Sequence, residues 1–377
     1  MHGQTPFPVA VVHDWLVSIA GGERVLKEIL ACYPEADLFA LVDFLDDKQR
    51  AQVLGKRART TFIQRLPRAR TKYRSYLPLM PLAVEQLDLS AYALVISSSH
   101  AVAKGVITGP DQVHISYVHS PVRYAWDLQH SYLKEAGLTK GLRSFIARAI
   151  LHYIRLWDSR TSNGVDHFVA NSAYIGRRIY KVYRRDSEVI HPPVELDRFA
   201  AREEKEEFYL TASRMVPYKR IPLIAEAFSR MPQRRLLIAG DGPEMKAVRA
   251  KSGPNVEILG YQSDQALVDL LGRAKAFVFA AEEDFGIAPL EAQACGTPVI
   301  AYGKGGALES LGKSAERTCV LFPEQTPEAI IAAVEEFEGG PRIEPAACRR
   351  NAERFSPESF RTQLTALVDR AMQDQGR

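Results

Sequence analysis

Short apolar runs separated by amphipathic stretches recur along the whole chain, and their spacing predicts alternating strands and helices. In the first half the runs are residues 8–16 (PVAVVHDWL), 37–42, 61–64, 92–97, 113–118 and 166–170. In the second half they are residues 207–213, 235–240, 256–260, 276–280 and 299–302. Most are continuous in apolar residues rather than alternating, the pattern of parallel strands buried on both faces. Helical patterns lie between them. One covers 24–31, entered through the turn 18–23; another covers 174–183, capped by Asn171-Ser172. A third covers 221–229, and Pro289 opens a fourth, because proline in a first turn loses no needed hydrogen bond. Ser356-Pro357 caps a last amphipathic helix through Arg370. Strand-helix alternation on both sides of a Pro192-Pro193 pair and an acidic run at 203–207 predicts two doubly wound α/β units. Their expected extents are 1–190 and 207–355, with 191–206 as linker.

A chain of 377 residues suits two domains of roughly 150 to 200 residues each. With 46% hydrophobic and 25% charged residues it falls in the soluble globular class, not the disordered or membrane-spanning ones. No window holds the ~18 uninterrupted apolar residues of a membrane span, and the start lacks the layout of a signal peptide. A cytoplasmic protein is expected. Cys32, Cys295, Cys319 and Cys348 are far apart, so reduced thiols are expected and neither a zinc site nor a disulfide framework is implied.

Charge changes the picture. Residues 1–190 carry 25 Lys/Arg against 17 Asp/Glu, and residues 191–377 carry 24 against 28. A basic first half suggests an anionic partner, a phospholipid surface or a phosphorylated substrate. Residues 56–76 hold eight basic residues and no acidic one, interleaved with Phe62, Ile63, Leu66, Tyr73 and Tyr76. A solvated face explains such a run, and so does an anionic membrane at the inner side of the cell envelope, where each cation is worth about 1 kcal/mol. Residues 142–157, LRSFIARAILHYIRLW, repeat apolar side chains at helical spacing with arginines off that face. A core helix and a membrane-surface helix both fit. No nucleic-acid motif accompanies the basic residues, so nucleic acid is not expected as a partner.

The richest chemistry lies in residues 277–297, FVFAAEEDFGIAPLEAQACGT. A strand ends in the acidic loop Glu282-Glu283-Asp284-Phe285-Gly286, and Glu291 follows on what reads as the first helical turn. Both Glu283 and Glu291 then sit at the carboxyl edge of a parallel sheet, where open α/β folds bind ligands. Free amides between them can donate to sugar hydroxyls or phosphate. Upstream, Arg214 and Lys219 follow the strand 207–213 as two neighbouring cations, which need an anion to neutralise them. Tyr261 follows the strand 256–260, and a glycine loop 303–306 precedes Glu309, read as structural or as a support behind the site. The E-x7-E spacing followed by E-A-x-A-x-G-x-P-V-I resembles the signature of the family four retaining glycosyltransferases, which have the two-domain GT-B architecture. That resemblance implies two Rossmann-like domains with an interdomain cleft, and a last helix, 356–377, that crosses back onto the first domain. It implies that Arg214 and Lys219 clamp the donor diphosphate, that Glu283 hydrogen-bonds the transferred hexose and that Glu291 holds the ribose hydroxyls. Tyr261, Asp284, Phe285, Gly286 and Ile287 are the remaining donor contacts expected in this half.

In the first half, Gly21-Gly22 allow close backbone approach to a phosphate, or make a simple tight turn. The resemblance makes them the glycine-rich loop reaching the donor (Gly22) and the acceptor (Gly21). His13-Asp14, at the carboxyl end of the first strand, could face the cleft, and a structural pair is the favoured reading. The run 113–118 delivers His119 at its carboxyl end, followed by Ser120-Pro121-Val122-Arg123-Tyr124-Ala125-Trp126-Asp127. The segment YVHSPVRYAWD is similar to one in bacterial mannosyltransferases of surface-polysaccharide assembly. There a histidine lies by the transferred sugar, which makes His119 a catalytic candidate beside Glu283, Arg214 and Lys219. Arg123, Tyr124 and Trp126 are candidates for an acceptor pocket, Trp126 by stacking on a sugar ring.

These readings together predict a retaining, metal-independent transferase moving mannose from GDP-mannose to a glycan or polyprenyl-diphosphate-linked acceptor. A UDP-sugar donor is the nearest rival. No cofactor is expected, because no DxD motif sits at a strand end and Asp43, Asp46 and Asp47 read as helix-capping residues. The departing diphosphate would be stabilised by cations and helix amides. An NAD-dependent oxidoreductase would need G-x-G-x-x-G after its first strand, which neither half has. A non-catalytic carbohydrate- or membrane-binding protein is the alternative of another class.

Overall fold

A computed structural model describes residues 7–376 of the chain. Two compact units divide it: residues 1–193 with 360–377, and residues 194–359. Each is a parallel sheet covered by helices. In the first, β1 (Val9–His13), β2 (Asp37–Ala40), β3 (Arg59–Thr60), β4 (Leu94–Ser99), β5 (Val113–Val118), β6 (His167–Ala170) and β7 (Glu188–Val189) stand in the order β3-β2-β1-β4-β5-β6-β7. In the second, β8 (Glu206–Ala212), β9 (Arg235–Ala239), β10 (Val256–Gly260), β11 (Ala274–Phe279), β12 (Val299–Tyr302) and β13 (Cys319–Phe322) stand in the order β10-β9-β8-β11-β12-β13. Every residue of β1, β4 and β5 is buried, as continuous apolar runs require when helices cover both faces.

The helix Pro357–Asp374 adds Phe360, Leu364, Leu367, Val368, Ala371 and Met372 to the same buried cluster as Val11, Leu26 and Ile96 of the first unit. Arg361 pairs there with Glu28, and Arg370 with Glu188 at 2.8 Å.

Local chemistry moves several expected boundaries. Residues 62–65 are a 3-10 turn, not a strand, because Thr61 is drawn to the Leu41 carbonyl (2.9 Å) and its hydroxyl accepts the Ile63 N–H (3.3 Å). Gly21 and Gly22 are the first two residues of the helix Gly21–Cys32, not part of the loop before it; Glu23 reaches back to accept the Ala20 N–H at 2.9 Å and fixes the start there. Glu291 sits in the second turn of the helix Ile287–Ala294, whose first turn is Ile287 to Leu290. Residues 191–206 are packed rather than loose. Val194 and Phe199 belong to the second unit's core, and Lys205 donates to the Gly272 and Cys295 carbonyls and the Thr297 hydroxyl at 2.9–3.1 Å. Asp46 caps the helix Asp47–Ala51, whereas Asp43 grips Arg50 through two bonds of 2.8 and 3.1 Å. All four cysteines are free. No helix among the described residues is long and apolar enough to cross a membrane.

Backbone-to-backbone packing leaves no room at Gly240, which has φ +129; a Cβ there would stand 1.9 Å from the Ser213 carbonyl oxygen. Gly240→Ala should therefore cost roughly 3 kcal/mol in urea unfolding. Gly164→Ala, where nothing lies within 4 Å, should stay within about 0.5 kcal/mol. Equal midpoints for the two variants would contradict this packing.

Candidate functional site

In an open parallel sheet the carboxyl ends of the strands collect on one edge, and a crevice opens where strand order reverses. In the first unit that point lies between β1 and β4, and in the second between β8 and β11. His13 ends β1 and pairs in register with Ser98, the penultimate residue of β4. Arg214 follows β8 and the acidic loop follows β11. Each unit thus brings its candidate residues to its own switch point.

In the first unit Ser98 bridges two imidazoles. Its Oγ is 3.0 Å from His13 Nδ1 and 2.9 Å from His119 Nε2. One hydroxyl donates once and can accept twice, so at most one of the two ring nitrogens accepts from Ser98 and at least one donates to it. The Asn171 amide donates to the His119 carbonyl at 2.9 Å, and the Tyr117 ring meets the His119 ring edge-on at 5.1 Å. Burial, with the like charges of His100 and His13, pushes His119 down to about 3, so it works as a neutral hydrogen-bonding group. His13 Nε2 stands 3.6 Å from Glu23, an ion-pair distance. Glu23 is buried, which would raise its pKa, but His13 and backbone amides outweigh that and lower it. Gly22 lies against these rings. A Cβ there would sit 3.7 Å from His119 Nε2 and His13 Cε1, so glycine keeps the space above them clear.

Asp14 organises this edge. Its carboxylate accepts the N–H groups of His100, Ala101, Val102 and Ala103 at 2.6–2.9 Å and lies 3.1 Å from His100 Nδ1. Burial would raise its pKa, but the His100 charge and the amides hold it below the ordinary carboxylate value. Asp14 is fully enclosed by these partners, whereas His13 turns toward Ser98 and Glu23.

The segment after His119 is tied inward. The Trp126 indole donates to Asp158 at 2.7 Å, and buried Asp158 also pairs with Lys104 (3.0 Å) and accepts from Tyr183. Trp126 therefore has an internal anchor and offers only its ring to a ligand. Tyr124, half-buried, meets Tyr132 edge-on at 6.1 Å, and burial raises its pKa. Arg123 is half-buried in the same turn.

In the second unit the chain leaves β8 through a loop clamped by Met215 N–H on the Asp241 carbonyl (2.9 Å). The Arg214 guanidinium on that loop is exposed and has no side-chain partner among the described residues. Lys219 does not stand as a bare cation beside it. Its ammonium pairs with Glu283 and lies 5.4 and 5.7 Å from the Tyr218 and Phe279 ring centroids. The acidic loop is held from behind by the glycine loop: Gly306 N–H donates to the Glu283 carbonyl at 2.8 Å, and a Cβ on Gly306 would meet Phe285 Cα at 2.3 Å. Phe285 is buried against Phe355, so only its backbone faces a ligand. Gly286 and Ile287 open the helix, with Asp284 and Glu291 half-buried on either side. Tyr261 is 80% exposed beyond β10. Glu309 is buried. Among the described residues no group of three or more His, Cys, Asp or Glu is placed to hold a metal ion.

Sequence reading passed over Ser98 and His100, and gave Glu23 and Asn171 only a turn and a helix cap. The run Ser97-Ser98-Ser99-His100, polar residues closing an otherwise apolar strand, was the signal for the first two.

The depressed His119 value carries a stability consequence. The unfolded chain takes up the proton near the ordinary 6.5 and the folded one near 3, so this contribution is complete above about pH 6.5 and is lost as pH falls. The melting temperature of His119→Asn should fall less steeply than that of the wild type between pH 7 and about 4. Parallel curves would refute the assignment.

Comparison with known proteins follows this geometry. Residues 194–355 match the family model described as glycosyl transferases group 1. The D-inositol 3-phosphate glycosyltransferase of Mycobacterium avium (strain 104) is 28% identical over 166 residues, 37% of this chain and 39% of that protein. The matched stretch therefore spans only 39% of that curated relative's length. The structure of Anabaena HepE in complex with UDP is similar over 96% of this chain and 99% of its own, with TM-score 0.67 and 16% identity. Sucrose-phosphate synthase from Thermosynechococcus elongatus is similar over 97% and 99%, with TM-score 0.68 and 17% identity. The chain has the GT-B fold, two parallel-sheet Rossmann-like units, and its second unit matches the glycosyl transferases group 1 model.

Proposed function

We propose that the protein is a retaining hexosyltransferase that moves mannose from GDP-mannose to a glycan acceptor carried on a polyprenyl diphosphate, in cell-surface polysaccharide biosynthesis. The observation that carries the proposal is the Lys219–Glu283 pair, because it joins the cation expected at the diphosphate to the carboxylate expected at the sugar. A bound diphosphate competes for Lys219 alongside the exposed Arg214 and frees Glu283 to accept from hexose hydroxyls. Glu291 then takes the ribose hydroxyls, and amides at 284–287, Gly22 and the Tyr261 backbone complete the donor contacts. The C–O bond to the diphosphate breaks as the acceptor oxygen bonds the same face of the sugar, and the leaving phosphate takes the acceptor proton. Two cations and helix amides carry the developing charge, so no metal enters the scheme. Neutral His119 serves as a hydrogen-bonding group beside the sugar, while Gly21, Arg123, Tyr124 and the Trp126 ring belong to the acceptor.

The polyprenyl anchor calls for work at the inner face of the plasma membrane. Seven of the eight basic residues in 56–76 are exposed, which supports an anionic membrane surface as a partner of that stretch. A second reading, a UDP-sugar donor, is favoured by HepE having been solved with UDP and with UDP-glucose.

Thermal unfolding in each nucleotide sugar separates the donors. At 100-fold its dissociation constant the true one adds about 2.7 kcal/mol, and GDP-mannose should raise the midpoint where UDP-glucose and UDP-N-acetylglucosamine do not. A shift with a UDP-sugar alone overturns the mannose assignment. Glu283→Ala should abolish transfer while sparing most nucleotide affinity, and Arg214→Ala should lower both. Wild-type turnover by the Glu283 variant would end the proposed role of that carboxylate.

A further inference from the structure

The helix Leu142–Thr161 has two apolar faces, and the fold uses only one. Leu151, Ile154 and Trp157 point into the first unit's core. On the opposite side Leu142 is 73% exposed, Phe145 69%, Ile146 48%, Tyr153 43% and Leu156 60%, with exposed Ala149 between them. These positions follow i, i+3, i+4, i+7, i+11 and i+14, a single stripe about 21 Å long at the helical rise. Scattered exposed apolar residues are ordinary, but an unbroken row on a solvent-facing helix marks a binding surface.

The charges beside the stripe select its occupant. Residues 142–157 contain three arginines and no acidic residue, and Arg143 and Arg160 are exposed. Asp158, the next residue, is buried against Lys104 and puts no negative charge on the surface. At the lower end of the stripe, Leu156, His152, Arg155 and Arg160 line a hollow with the Trp126 ring. Leu77, just after the basic stretch, packs in the same cluster as Ala147 and Ile150 of this helix. A second copy docked on the same face by a two-fold axis would set these arginines against one another.

We propose that this helix is an interfacial membrane element: its stripe enters the boundary between headgroups and acyl chains of an anionic bilayer, and its arginines meet the lipid phosphates. The inference takes the anionic lipid surface from the proposed function and nothing from the donor or acceptor.

The test is sedimentation of the full-length protein with vesicles of phosphatidylcholine, alone or mixed with phosphatidylglycerol. Wild type should bind the mixed vesicles and lose binding in high salt. Phe145→Glu/Leu156→Glu should lower the partition coefficient about tenfold or more. Equal partition of this variant overturns the proposal, as does absent vesicle binding with the same variant dissociating a dimer in sedimentation velocity. Neutralising Arg65, Arg68, Arg70 and Lys72 to Gln separates the two surfaces. Loss of binding there alone leaves the basic stretch as the membrane contact and removes the helix. Loss in the helix variant alone does the reverse. If the double-Glu variant fails to fold, Phe145→Trp reads the same point, since its emission should shift to the blue on mixed vesicles and an unshifted spectrum counts against insertion.

Discussion

All hydrogen-bonded strand pairs in both sheets are parallel, and the rest of the structure answers to that constraint. Parallel strands need helical returns, the returns cover both faces, and the sheet's interior must be apolar from end to end. Polar chemistry is thereby pushed out to the carboxyl edge. It gathers most densely where strand order turns back, between β1 and β4 and between β8 and β11. His13, Ser98 and His119 stand at or next to the first of these points, and Arg214, Lys219 and Glu283 at the second.

Charge concentrated at such an edge is costly unless every ion is answered, because a buried charge without a partner costs several kcal/mol. Asp14 is answered by four amides and His100, Lys104 by Asp158, and Lys219 by Glu283. The answers differ in kind. Asp14 and Lys104 are enclosed in networks whose members have nowhere else to go, which suits a fixed scaffold. Lys219 and Glu283 share one contact and keep 15% and 18% of their side-chain surface in solvent, so this pair is open to exchange in a way the enclosed ones are not. Gly305 and Gly306 hold the loop behind this pair at distances no Cβ would permit, and Lys304 adds an ion pair to Glu282 at 3.3 Å.

Much of this architecture was legible in the chain. The apolar runs at 113–118 and 207–213 lie within one residue of β5 and β8, because double-sided burial leaves a dense local signature. Elements whose limits depend on distant partners were less legible. Glycine is a poor helix former, so Gly21-Gly22 read as loop, yet the Glu23 carboxylate starts the helix at that pair. Residues 191–206 read as linker from prolines and charge, while Val194 and Phe199 are core. Trp126 read as a stacking ring, and only the fold shows that Asp158, thirty-two residues on, claims its N–H and leaves the ring face.

The amino-acid order by itself determined the α/β class and the carboxylates and cations that end the strands, because these follow from patterns a few residues long. Tertiary structure alone decided which of those groups meet: Ser98 between His13 and His119, Glu283 on Lys219, one apolar face of the Leu142–Thr161 helix inside and one outside. The reason is strand order. Side chains 64 and 85 residues apart in the chain become neighbours only when β8 lies beside β11 and β1 beside β4, and no local periodicity encodes that adjacency.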